Sequence, residues 1–215
     1  MTSDDFRKNR DFFSDIRKKS RTEAACFLNP KSNVILSAPH AINQTREGEL
    51  KGEEPVSISY VATLAALTGA NSIYKVNNET NDANYDVKSV YKDKLRRTIS
   101  KGNIKVLLDF HSMAYERTEL VNIGTARGEL LQTEEKKAYF NTLLRFFWES
   151  GLKVSVDYPF CANPRTIANT FGRDPSLLAL QLELNNKLSE PEYNRELNAS
   201  LDALENFIKC VQLIC

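Results

Sequence analysis

Short apolar runs alternate with helical stretches along most of this chain. The strand-like runs lie near 34–38, 72–76, 105–110, 120–124, 153–158 and 178–184, and helical spacing is found near 56–67, 86–100, 133–149 and 190–213. This order predicts an α/β fold, a three-layer α/β/α sandwich around a mostly parallel or mixed sheet. Ser189, Glu190 and Pro191 predict the start of the last helix, because they offer an N-cap and an early proline.

A chain of 215 residues with 41% hydrophobic side chains can bury one sizeable core. We therefore expect a single domain over 1–215. Phe6, Phe13 and Ile16 recur at helical spacing in a charged background, which predicts a surface helix within residues 1–20, over about 3–19.

Charge and hydropathy exclude several classes of partner. The 29 basic and 28 acidic side chains nearly cancel, so no net field would attract nucleic acid or anionic lipid. No segment approaches the roughly 18 apolar residues of a membrane span, and the N-terminus lacks an apolar signal core. The four cysteines show no metal-ligand spacing, and we expect reduced thiols. These features predict a soluble, cytoplasmic protein.

Both histidines of the chain, His40 and His111, stand at the ends of apolar strand-like runs. In open α/β sheets, ligands bind in the crevice beyond the carboxyl ends of the strands. Two imidazoles that meet there are natural ligands for a borderline-soft metal such as Zn²⁺. The two histidines therefore predict a metal site at this edge of the sheet.

A catalytic zinc site needs a third protein ligand and an open position for water. Glutamates crowd the segment after His40, at positions 47, 49, 53 and 54. Glu54 is the first choice, because it adjoins the helix predicted over 56–67, whose start can hold a side chain more firmly than a loop centre can. A solvated run of charge is the alternative for all of these glutamates.

The strand-like run 177–185 carries an acid, Glu183, near its end. Burying a carboxylate is costly unless it is paired or hydrogen-bonded, so such a residue usually has a task. A raised pKa of Glu183 would suit a general base that activates a metal-bound water. The alternative is an exposed edge strand on which Gln181, Glu183 and Asn185 face solvent, a pattern that their period of two also fits.

Several common catalytic signatures are absent. The sequence contains no HExxH, GxSxG, GxGxxG or GxxxxGK[ST], so it offers no such evidence for a zincin, a serine hydrolase, a Rossmann dehydrogenase or a P-loop NTPase.

Six segments between residues 33 and 185 together resemble the N-formylglutamate amidohydrolase family, which is related in fold to the zinc carboxypeptidases and the aspartoacylases. They are Ser37-Ala38-Pro39-His40, Arg46-x-Gly48-x-x-Lys51-x-x-Glu54, Leu67-Thr68-Gly69-Ala70, Asp82-x-Asn84-Tyr85-Asp86, Leu107-Leu108-Asp109-Phe110-His111 and Ile123-Gly124-Thr125. The resemblance implies a phosphorylase/hydrolase-like sandwich that holds one zinc ion per chain. It also implies hydrolysis of an amide bond in a small acyl amino acid or a short peptide-like substrate.

The resemblance assigns roles to individual positions. It makes His40, Glu54 and His111 the zinc ligands and places the general base at Glu183. Zinc carboxypeptidases carry the carboxylate ligand three residues after the first histidine, where this chain has Asn43. Asn43 and the other glutamates of 47–54 therefore stay open as alternatives to Glu54.

The substrate-binding segment departs from the pattern of many relatives, which have Asp-x-Asn-Arg. Here Asn84 is kept, but Tyr85 stands in place of the arginine. Arg46, Arg165 and Arg173 are the candidates to supply a guanidinium for a substrate carboxylate.

Asp109 precedes His111 by two residues and points to the same face of the predicted strand. We expect it either to orient a ligand histidine or to serve only the fold. Two alternatives to the amidohydrolase remain. One is a zinc carboxypeptidase-like or γ-glutamyl peptidase, and the other is a non-catalytic binding protein on the same fold.

Overall fold

The structure, a computed structural model, describes Phe6, Lys8 and the ranges 24–77 and 80–214. The helix predicted over 3–19 lies outside these residues apart from Phe6 and Lys8. Within the described ranges, every helix is too short or too polar to span a bilayer. The described cysteines, Cys26, Cys161 and Cys210, are free thiols.

A mixed sheet forms the middle layer, with the strand order β1-β5-β2-β6-β9-β7-β8. The strands are β1 Ala24–Phe27, β2 Val34–Ala38, β5 Asn71–Lys75, β6 Val106–Met113, β7 Val121–Gly124, β8 Val154–Val156 and β9 Leu178–Asn185, and a separate hairpin joins β3 Gln44–Arg46 to β4 Glu49–Lys51. The central strands β2, β5, β6 and β9 run parallel, whereas β1, β7 and β8 run in the opposite direction. The prediction of a mostly parallel or mixed sheet is confirmed.

Helices cover both faces of this sheet. They are α1 Pro55–Thr68, α2 Val90–Lys101, α3 Glu134–Glu149, α4 Ile167–Gly172 and α5 Asn194–Ile214, and two 3₁₀ helices, Asn186–Ser189 and Pro191–Tyr193, precede α5. Apolar side chains of α1, α3 and α5 share one core with alternate residues of the strands, such as Leu108 and Leu180. Those of α2 and α4 share a second core with Leu107 and Ala179. The three-layer α/β/α sandwich is therefore confirmed, while its organisation as a single domain stays a prediction.

The predicted start of the last helix is wrong. Ser189 ends the first 3₁₀ helix, whose N-cap is Asn185, and Pro191 begins the second. The α-helix itself begins at Asn194. The polar sequence around Pro191 closes two tight turns before the helix, and helical spacing alone did not separate these turns from it.

The parallel direction of the central strands places their carboxyl ends at one edge of the sheet. His40 follows β2 at this edge, and His111 lies within β6 rather than after it, because that strand continues to Met113. The predicted strand near 178–184 corresponds to β9, which brings Glu183 to the same edge. The fold therefore brings His40, His111 and Glu183 to one edge of the sheet.

Candidate metal centre

Two imidazoles and one carboxylate converge at the carboxyl edge of the central strands. The Nδ1 atom of His40 lies 2.7 Å from Oε1 of Glu54, and Nδ1 of His111 lies 3.2 Å from Oε2 of the same carboxylate. One ligand atom from each of the three residues lies within 4.8 Å of the others. The structure thus brings the three predicted zinc ligands together, while their role as ligands stays a prediction.

Glu54 is held in this position by the chain segments that carry the histidines. Its backbone N–H donates to the carbonyl oxygen of His40 (2.9 Å), and the N–H of Ser112 donates to its Oε2 (2.9 Å). Pro55 begins α1 directly after it, so the carboxylate stands at the start of a helix. The sequence predicts this placement of Glu54 beside the start of a helix.

The alternatives to Glu54 lie elsewhere. Glu47, Glu49 and Glu53 are exposed, as a solvated run of charge requires. The side-chain oxygen of Asn43 accepts a hydrogen bond from the N–H of Glu53 (2.9 Å), which joins the two ends of the segment 43–53.

A buried aspartate stands behind each imidazole. Nε2 of His40 lies 2.8 Å from Oδ1 of Asp82, and Nε2 of His111 lies 3.1 Å from Oδ2 of Asp109; both aspartate side chains have 0% exposure. A carboxylate in this position fixes the tautomer and the ring orientation of a ligand histidine and makes it a stronger ligand. The geometry suits orientation of a ligand histidine, one of the two roles expected for Asp109, and that role stays a prediction.

Asp82 was missed as a partner of His40. The sequence showed it only as the first residue of the segment resembling Asp-x-Asn-Arg, in a loop 42 residues away from the histidine. The signal that could have found it is a carboxylate in the loop after β5, the strand that pairs with the strand before His40.

The electrostatics of the cluster favour a cation at its centre. Burial alone would lower the pKa of His40, but Glu54 and Asp82 outweigh it and raise that pKa to about 9. Burial likewise opposes charge on His111, yet Asp109 and Glu54 raise the pKa of its imidazole well above the usual range. Burial would raise the pKa of Glu54, but the two histidines lower it to about 2.

The two imidazoles lie between three carboxylates, Glu54, Asp82 and Asp109, which favour positive charge on both rings. A metal ion binds neutral imidazole and displaces such protons. Two imidazole nitrogens with one carboxylate oxygen form the donor set of a three-ligand catalytic zinc site. The residues present therefore fit a zinc ion.

Glu183 lies beside this cluster on the same face of the sheet. It is the register partner of His111 across β6 and β9, and it is 7% exposed. Burial raises the pKa of Glu183 to about 7, and the charge of Glu54 adds to the rise against the opposing effect of His111. Gln181 donates its side-chain N–H to Oε1 of Glu183 (2.6 Å).

The alternative in which Gln181, Glu183 and Asn185 face solvent is wrong. Every residue of β9 is buried, because the strand pairs with β6 on one side and β7 on the other and is covered on both faces. The polar residues of β9 recur with a period of two because they share the face of the sheet that holds the site.

The three candidate arginines have different surroundings. Arg46 is committed to Asp82, whose Oδ2 it meets through Nε (2.8 Å) and Nη2 (2.7 Å). Arg173 pairs with Glu129 (2.7 Å) and with the side chain of Asn169 (3.2 Å). Within the described ranges, no acidic side chain forms an ion pair with the guanidinium of Arg165.

Tyr85 brings two of these arginines together. The guanidinium carbons of Arg46 and Arg165 lie 5.0 and 5.5 Å from the centre of the Tyr85 ring, within the range of cation–π contact. The ring belongs to the loop that also carries Asp82, the partner of His40. Arg46 therefore reaches the centre through Asp82, and Arg165 lies on the Tyr85 ring of the same loop. The described contacts of Arg173 join it to other residues.

Asn84 has a structural contact of its own. Its side-chain oxygen accepts the N–H of Ile167 (2.8 Å), the first residue of α4, and its backbone N–H donates to Oδ1 of Asp82 (2.8 Å). Asn84 thus ties α4 to the loop of the site, while its predicted role in substrate binding remains untested.

Solved structures share this fold, although no protein-family model and no curated protein sequence match the chain. A gene product of Agrobacterium tumefaciens is similar at 12% identity and a TM-score of 0.64, over 95% of this chain and 98% of that one. A metallo-carboxypeptidase from Burkholderia cenocepacia is 14% identical, with a TM-score of 0.54 over 96% and 69% of the two chains. N-formylglutamate amidohydrolase from Ralstonia eutropha is 13% identical, with a TM-score of 0.52 over 89% and 96%. The resemblance seen in the sequence is therefore confirmed at the level of the fold.

Proposed function

We propose that the chain is a zinc-dependent hydrolase that cleaves the amide bond of an N-acyl amino acid, with one zinc ion held by His40, Glu54 and His111. The observation that carries the proposal is the convergence of both Nδ1 atoms on one carboxylate, with a buried aspartate behind each ring. A zinc ion held there would act as a Lewis acid and lower the pKa of a bound water to about 7.

Glu183 is the proposed general base. Its place beside His111 puts it next to the ligand set, and a pKa of about 7 lets it accept a proton at neutral pH. It takes the proton of the attacking water and returns it to the leaving nitrogen. Burial keeps solvent away from this transfer.

Arg165 is the proposed partner of a substrate carboxylate. Its backbone is fixed, because Lys92 donates its ammonium group to the carbonyl oxygen of Arg165 (2.6 Å). The loop 157–166 that carries it packs closely on β7, where a Cβ on Gly124 would lie 2.7 Å from the nitrogen of Ala162. The backbone of Arg165 is thus fixed, and its guanidinium forms no ion pair among the described residues. Both features suit recognition of an anionic group.

A second candidate is a peptidase or an amidase for a longer acyl group. A cavity of about 230 Å³ lies beside Glu54, and its lining contains none of the proposed ligands. Its lining includes Pro55 and Val56, directly after Glu54, together with Tyr115 beyond β6 and Asn186 beyond β9. A formyl group would not need this space. A peptide or an extended acyl chain would, and one of the similar structures is a metallo-carboxypeptidase.

Metal analysis combined with a panel of amides tests both candidates. The panel holds N-formyl-, N-acetyl- and N-succinyl-glutamate, γ-glutamyl dipeptides and peptides with a free carboxyl terminus. We expect about one zinc per chain and hydrolysis of at least one compound, lost with a chelator and restored by zinc. Bound zinc without hydrolysis of any compound would favour the non-catalytic binding protein instead.

A further inference from the structure

A buried line of hydrogen bonds runs from α2 to the candidate metal centre. The hydroxyl of Tyr91 lies 2.9 Å from Oγ of Ser37, which lies 2.7 Å from Oδ1 of Asp109. The other oxygen of Asp109 lies 3.1 Å from Nε2 of His111. Tyr91, Ser37 and Asp109 have 0% exposure, so no bulk water competes for these contacts.

The chemistry of the side chains of Tyr91, Ser37, Asp109 and His111 decides which group donates each hydrogen bond in this line. An ionised carboxylate only accepts hydrogen bonds, so the proton between Ser37 and Asp109 comes from the serine. The remaining proton between the two hydroxyls comes from Tyr91, which shares it with the carbonyl oxygen of Ile73 (3.0 Å). Burial raises the pKa of Tyr91 well above its ordinary value, so the phenol keeps that proton.

The backbone fixes the donors of this line. Ser37 and Asp109 are register partners on the parallel strands β2 and β6, so their side chains lie on the same face. Tyr91 is in the first turn of α2, whose start is capped by the side chain of Ser89. Two rigid elements therefore hold the hydroxyls of Tyr91 and Ser37 in line. The Ser37 hydroxyl donates to Oδ1 of Asp109, and Oδ2 is left for His111.

We infer that Ser37 and Tyr91 are positioning residues that hold the Asp109 carboxylate against His111 and so set how tightly the centre binds zinc. The inference rests on the proposed zinc site. Without the Ser37 hydroxyl, Asp109 loses the donor to Oδ1 and can turn about its side-chain torsions, and His111 loses a fixed acceptor for its Nε2–H. Outer partners of ligand histidines typically change metal affinity in this way.

The chain offers a matched control for these hydroxyls. Tyr60 of α1 and Ser200 of α5 also form a buried Tyr–Ser hydrogen bond, on the other side of the sheet. Replacing Tyr60 or Ser200 removes the same kind of contact from the same kind of core. Any loss that comes only from weaker packing or a lost hydroxyl pair therefore appears in both sets of variants.

The test is competition for Zn²⁺ between the full chain and a chromophoric chelator, for the wild type and for S37A, Y91F, S200A and Y60F. We expect zinc affinity to fall roughly 10-fold in S37A. It should fall roughly 3-fold in Y91F, because Tyr91 is one hydrogen bond further from His111 than Ser37 is. We expect S200A and Y60F to bind zinc within about twofold of the wild type. This should hold even if their melting temperatures fall as much as those of S37A and Y91F.

Two other results would overturn the inference. If S37A and Y91F bind zinc as tightly as Y60F, the hydroxyl line serves only the fold, and the metal centre stands without it. If the wild-type chain does not bind zinc, the proposed centre fails and the inference fails with it. Y91F leaves the Ser37–Asp109 hydrogen bond in place, so it keeps the test decisive where S37A does not fold.

Discussion

His111 and Glu183 face each other as register partners on the parallel strands β6 and β9. Side chains at partnered positions lie on the same face of a sheet, so the acid stands directly beside one of the proposed ligands. The same register sets Asp109 opposite Gln181, which donates to Glu183. One pair of strands thus supplies a proposed ligand histidine, the carboxylate beside it and the proposed base.

The first prediction concerns Glu183. Glu183→Gln keeps the size of the side chain and removes the proton acceptor, so zinc content and thermal stability should stay near wild type. Turnover of the amide identified in the panel should fall roughly 10²- to 10⁴-fold, the usual contribution of a positioned acid or base. Steady-state kinetics, metal analysis and thermal melting measure the three quantities.

Glu129→Gln is the matched control, because Glu129 is an exposed acid whose partner is Arg173. It should leave turnover unchanged. Full activity of Glu183→Gln would show that the base lies elsewhere, and loss of zinc from it would make Glu183 a ligand.

The second prediction concerns the ligand set. His40→Ala or His111→Ala should abolish zinc retention, because two remaining ligands are too few for a stable site. Asn43→Ala should keep about one zinc per chain, since its side chain bonds the loop at Glu53. Metal analysis after gel filtration decides the matter, and full occupancy in both histidine variants would rule out the centre as proposed.

Sequence patterns were sufficient for the central strands and the long helices. β2, β6 and β9 are buried on both faces, and such strands appear as continuous apolar runs. β4 is exposed at every residue, and α4 has only six residues, so neither leaves a usable pattern. The edge strand β1 was missed for a similar reason, because it is only partly buried.

The two histidines of the candidate centre could be singled out from the sequence, whereas the residues that contact them were harder to predict. A histidine at the end of an apolar run is visible locally, whereas the contacts that hold Glu54 come from Ser112, 58 residues away. The approach of Asp82 to His40 depends on the neighbouring positions of β2 and β5, which only the folded sheet defines. Long-range placement of this kind is not encoded in any local spacing.

The third prediction concerns Asp82. Asp82→Asn removes the charge behind His40 and the ion pair with Arg46, so zinc affinity should fall roughly 10- to 100-fold. Asp93→Asn, which removes an exposed acid paired with Arg96, should not change it. Chelator competition measures both variants, and an unchanged affinity in Asp82→Asn would mean that His40 needs no carboxylate behind it.

The fourth prediction separates the arginines. If Arg165 binds a substrate carboxylate, Arg165→Ala should raise KM for substrates with a free carboxylate and leave kcat nearly unchanged. A hydrogen bond to a charged group contributes ~1.5–3 kcal/mol, which corresponds to a rise in KM of roughly 10- to 100-fold. The same substrates with an amidated carboxylate should bind both proteins equally weakly, because the group that Arg165 recognises is gone.

Arg173→Ala tests the rival position in the same assay. Its guanidinium is occupied by Glu129 and Asn169, so KM should stay at the wild-type value. A rise in KM with Arg173→Ala and none with Arg165→Ala would reverse the assignment. If Arg165→Ala and Arg173→Ala both keep the wild-type KM, Arg46 is left as the carboxylate partner among the three arginines. Binding would then compete with the Arg46–Asp82 ion pair behind His40, and zinc affinity would change when substrate analogues bind.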